Sequence, residues 1–111
     1  MKNMTMMALA VAGASLVCAP VAAASEDAFL AAIDSLEYYA INCPGCAEDA
    51  LGVGYRVCAA FDSGGESAAI AEVLKSYNGP GQTHPEYYAT LFAQYSAYEL
   101  CPQHNGKIDP I

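Results

Sequence analysis

The chain of 111 residues has no tryptophan, only 4 basic residues and only 2 histidines. Each scarcity removes a class of function. Binding to nucleic acid or to an anionic lipid surface draws on counterion release by clustered Lys and Arg, which this chain does not possess. No Asp-x-Asp-x-Asp-Gly run offers a calcium loop, and no G-x-S-x-G places a serine nucleophile on a strand-to-helix turn. Adjacent acids such as Glu48 and Asp49 point in different directions on a helix and do not form a paired-carboxylate site. Sustained alternation of apolar and polar residues is also missing, so nothing in the sequence builds a sheet.

What the chain does have is an apolar start, five cysteines and eight tyrosines. Met1-Lys2-Asn3 is a short positive opening, residues 6–19 are an apolar run, Pro20 breaks it, and Ala22-Ala23-Ala24 supplies small residues at the −3 and −1 positions. This is the pattern of an export signal, and it predicts cleavage between Ala24 and Ser25. The run is shorter than the roughly 20 residues of a membrane span, so no stable span is expected after cleavage. Ser15-Leu16-Val17 before Cys18 lacks the leucine and small residue that direct lipid attachment. The remaining 87 residues are 49% apolar, an ordinary globular composition, and carry 3 basic against 12 acidic residues, a formal charge of −9. The expected location is secreted or in the cell envelope.

Apolar residues three and four apart predict four helices, an all-α fold. The first spans about 26–39, with Ser25 as N-cap and Phe29, Ile33, Leu36 and Ala40 facing inward. The second, about 47–61, aligns Leu51, Tyr55 or Gly54, Cys58 and Phe61, and ends at Asp62-Ser63-Gly64-Gly65. Gly52 and Gly54 inside it each cost roughly 1 kcal/mol of helix propensity, which marks a close helix crossing or a weak spot. The third, about 67–77, buries Ile70, Val73, Leu74 and Tyr77. The fourth starts at a capping box formed by Thr83 and Glu86, with Pro85 in the first turn, and runs to about Leu100. Its inward stripe is Tyr88, Leu91, Phe92, Tyr95 and Tyr98. Residues 104–111 read as a loose tail, with His104 solvated.

Four cysteines in the exported part allow three pairings. Cys43 and Cys46 flank Pro44-Gly45, which suits the centre of a type II turn and brings the two within bridging distance. That leaves Cys58 with Cys101, a bond closing a loop of 43 residues. An oxidising destination favours both, and so small a core needs staples. The alternative for Cys43 and Cys46 is thiol–disulfide exchange, opposed by Glu48 and Asp49 in the next turn. Ala47 stands where covalent haem attachment needs histidine.

Tyr87, Tyr88, Tyr95 and His84 on the fourth helix are the candidate ligand-facing residues, for an apolar or planar molecule or a protein partner. His84 with Tyr88 or Tyr87 could present a haem-ligating face, but no bound cofactor or metal is expected. Phe29-Leu30-Ala31-Ala32, Gly54-Tyr55-Arg56-Val57-Cys58 with Gly64, and Cys101-Pro102 together resemble a family of small secreted actinobacterial, chiefly mycobacterial, proteins known as domain of unknown function 732. The resemblance covers roughly 27–103 and implies an exported helical domain with a Cys58–Cys101 disulfide. Cys43-Pro44-Gly45-Cys46 and Glu99-Leu100 depart from the family pattern. The resemblance implies no chemistry, so the expectation is a non-enzymatic binding module, with thiol exchange or ligand carriage as alternatives.

Overall fold

The computed structural model describes residues 25–108, and the expected export signal lies outside them. Among the described residues are three α-helices, α1 (Glu26–Ser35), α2 (Cys46–Ser76) and α3 (Pro85–Glu99), followed by a short 3-10 turn, Pro102–His104. α3 is the central element, packing on α1, α2 and the closing turn. The fold is all-α as the periodicity requires, and the expected second and third helices follow one another within α2 as two helical arms that meet at a kink. Gly65 stands inside α2 at φ 74°, ψ −155°, a conformation essentially confined to glycine, so the helix bends there and resumes without a loop.

α1 ends earlier than expected. Leu36 and Glu37 donate to Ile33 and Asp34 in a tightening turn, and Glu37 at φ 53° reverses the chain. Tyr39 therefore enters the core while Ala40 is exposed. The capping box is not made: α3 begins after His84, held at φ 51°, ψ 49°, with no side-chain cap. Ser25 is the α1 N-cap position, but its backbone does the work, the carbonyl accepting from Phe29 N at 3.0 Å.

The buried face of α3 is Ala89, Phe92, Ala93, Ser96 and Ala97, rotated from the expected tyrosine stripe. Small residues let α3 approach its neighbours closely, while the larger tyrosines flank the seam. Tyr88 and Tyr95 are accordingly half-buried and Tyr98 is exposed. Phe92 is the hub of the core. Phe29 meets it edge-on at 5.4 Å between ring centroids, and Tyr39 at 5.1 Å. Val57, Phe61, Ala69 and Val73 of both α2 arms complete the core. The glycine reading resolves at one position: a Cβ on Gly54 would lie 2.5 Å from Leu100 Cδ1 and 2.9 Å from Phe29 Cζ, so Gly54 is where α2 is crossed closely.

Residues 104–108 are not a loose tail. His104 and Ile108 are buried, and His104 stacks on Phe61 at 5.3 Å. Its Nε2 is 2.7 Å from Asp62 Oδ1, and its Nδ1 is 3.0 Å from Lys107 Nζ. An ammonium only donates, so Nδ1 accepts from Lys107 and Nε2–H donates to Asp62. The cause of the misreading is distance in sequence: Asp62 and Phe61, which make this site apolar and polar in the right places, lie 42 residues or more away.

Candidate functional site

Both disulfides form as paired from spacing. Cys43 and Cys46 have Cα atoms 5.2 Å apart, and Cys58 and Cys101 are 6.0 Å apart. Gly45 at φ 78° and the Cys46 N to Cys43 O hydrogen bond of 3.0 Å make the Pro44-Gly45 turn type II. The first pair faces solvent, while Cys101 of the second is buried where α3 ends against α2.

Of the tyrosine and histidine candidates, the structure brings His84 and Tyr87 into one depression, sets Tyr88 beside Tyr87 and leaves Tyr95 on the core side. Tyr88 stacks on Tyr38 at 3.9 Å with planes 15° apart, and Tyr95 packs against the core. His84 and Tyr87 line a groove between the second arm of α2 and the start of α3. The groove consists of adjoining depressions of about 460, 330 and 300 Å³, and Leu74 lines all of them. Ile70, Leu74, Pro85 and Tyr87 give it an apolar bed, and Glu86 stands between two of the depressions. Tyr87 is 48% exposed, its ring edge-on to Tyr88 at 5.1 Å. Leu74 and Tyr87 were legible as apolar helix positions, but the groove was not, because it depends on how the bend at Gly65 sets the second arm against α3.

Electrostatics around the groove are lopsided. The described residues contain three cations, and each is already held: Arg56 Nε and Lys75 Nζ lie 3.1 and 3.2 Å from Glu72, and Lys107 is spent on His104. Burial alone would raise the Glu72 carboxyl, but hydrogen bonds from Arg56 and Lys75 outweigh it and hold it below the usual range. Glu48, Asp49, Glu66 and Glu86 have no ion-pair partner among the described residues. The described residues hold no group of three or more His, Cys, Asp or Glu side chains arranged for a metal ion, and no helix among them is long and apolar enough to cross a membrane.

A helical domain tied by two disulfides, with an apolar groove and an excess of unpaired carboxylates, is thus the class of protein the geometry defines. The chain belongs to the family described as protein of unknown function DUF732, whose model matches residues 25–103. No curated protein and no solved structure matches it.

Proposed function

We propose that this chain is an exported, non-catalytic interaction module of the cell envelope or medium that receives a basic stretch of a protein partner in the α2–α3 groove. The observation that carries the reading is the combination of an apolar bed at Leu74 and Tyr87 with Glu86 beside it, on a chain whose described cations are all internally held. Such a groove suits an apolar side chain flanked by Lys or Arg, whose charge meets Glu86 and whose stem or guanidinium lies on the Tyr87 ring.

The test is calorimetric titration of the oxidised protein with a short synthetic peptide of leucine and arginine, against the same peptide with glutamate or serine replacing arginine. Saturable binding of the arginine peptide alone is expected, weakened about fivefold by Tyr87→Ala and by up to about fivefold by Glu86→Gln. Equal binding of the serine peptide would replace the basic partner by a small apolar ligand, and equal binding of the glutamate peptide, or none at all, would refute the reading. A second reading, thiol–disulfide exchange at Cys43–Cys46, is favoured by that pair's exposure at the start of α2. A reduction potential below about −300 mV against glutathione would mark the pair as structural and remove it.

A further inference from the structure

The one backbone contact that joins the two ends of the described domain is Ser25 N to Glu99 O, 2.6 Å. It lies where helix chemistry makes it consequential. Glu99 is the last residue of α3, where carbonyls have no partner within the helix and the dipole is negative, and α3 has no basic residue in its last turn. A cation is missing from the place that best accommodates one. Ser25 is also the first residue after the expected cleavage point, and it is the residue at which the family match begins.

We infer that the Ala24–Ser25 peptide bond is a processing site and that the fold holds a receptor for the terminus it releases: the new α-ammonium docks on Glu99 O and supplies the C-terminal charge that α3 lacks. The inference rests on the export reading. Hydrolysis adds water across the amide, leaving a carboxylate on Ala24 and an ammonium on Ser25. The nitrogen that already donates as a neutral N–H then donates as a cation, and charge-assisted hydrogen bonds are roughly twice as strong as neutral ones. Ser25 also lines a shallow depression of about 400 Å³ together with Glu26, Asp27 and Tyr55.

The titratable residues lining that depression are Glu26 and Asp27 of α1 and Tyr55 of α2, and the accepting carbonyl is that of Glu99 at the end of α3. Tyr55 donates its hydroxyl to Glu26 Oε2 at 2.6 Å, and that bond, with burial and the Glu26 charge, raises the phenol above its ordinary value. Tyr55 therefore stays neutral while an α-amine titrates. Docking favours the charged amine, so its pKa in the folded protein lies above the ordinary value of about 8. The added stability is complete below about pH 8 and is lost as pH rises through the folded value.

The N-terminal serine offers a specific test, because periodate cleaves its Cα–Cβ bond and leaves a glyoxylyl group, releasing ammonia and formaldehyde as periodate is reduced to iodate. Every methionine lies at or before residue 7 and tryptophan is absent, so an export product starting at Ser25 carries no competing thioether or indole. The secreted protein is weighed intact, oxidised in urea with its disulfides closed, returned to buffer and melted alongside untreated protein. The expected results are a mass beginning at Ser25, a Tm lowered by about 4 °C or more at about pH 6, and a smaller difference between the two proteins at about pH 10, where the charge contribution is gone. A different starting residue would overturn the processing site and with it the export reading as drawn here. A start at Ser25 with an unchanged Tm after oxidation would overturn the docked ammonium alone.

Discussion

Tyrosines rim a core of phenylalanine, isoleucine, valine and alanine, with Tyr39 alone among them fully inside it, and they leave a signature in pH. Tyr39 and Tyr77 are pushed up, burial being the main cause in both; the charges of Tyr38 and Tyr77 add to it at Tyr39, and at Tyr77 Asp49 adds to it while Arg56 opposes. Tyr55 is raised by its bond to Glu26. A tyrosine whose folded pKa lies above its unfolded one stabilises the fold fully below about pH 10 and loses that contribution as pH climbs through the folded value. An alkaline titration followed by phenolate absorbance should show Tyr39, Tyr55 and Tyr77 ionising above the ordinary phenol value, with the folded baseline falling away above about pH 10. One uniform step at the ordinary value would contradict this packing. The hydroxyls of Tyr38 and Tyr77 are buried with no hydrogen-bond partner among the described residues.

At the scale of elements, two glycines of α2 that look alike in sequence separate cleanly. Gly54→Ala drives a methyl into Leu100 and Phe29, both buried, and should cost about 1 to 3 kcal/mol despite the gain in helix propensity. Gly52→Ala meets only Arg56 Nη1 at 3.6 Å, ordinary contact, and should stabilise by about 1 kcal/mol. Denaturant midpoints of the two variants moving in the same direction would contradict the crossing described. These glycines also show what could be read beforehand. Helical periodicity and the Pro-Gly turn are local properties, so α1, the arms of α2 and the Cys43–Cys46 clip were legible. The bend at Gly65 was legible as an interruption but not as a bend, because whether a helix resumes depends on what its second arm packs against. Thr83 and Glu86 carry the letters of a capping box, yet His84 takes the cap position in a left-handed conformation that no motif announces. The tyrosine stripe of α3 misled for a related reason: the smallest residues, not the largest, mark the face that must come closest.

For the molecule as a whole, the staples differ in what they hold. Cys58–Cys101 closes a separation of 43 residues and ties α2 to the end of α3, whereas Cys43–Cys46 closes one of 3. On the chain-entropy account the first contributes roughly 4 kcal/mol and the second about 2. Cys58→Ser should therefore lower Tm much further than Cys43→Ser, and equal losses would show that the long staple does not carry the fold. The family match and the acidic balance bear on the whole chain too, and neither could have located the groove, which exists only once the bend in α2 is set against α3. The central claim is that this groove binds. Mapping backbone amide shifts during titration with the leucine and arginine peptide tests it most directly. The account predicts changes centred on Ile70, Leu74, Glu86, Tyr87 and Thr90 that disappear in Tyr87→Ala. Changes confined to the Cys43–Cys46 corner, or none at saturating peptide, would contradict it.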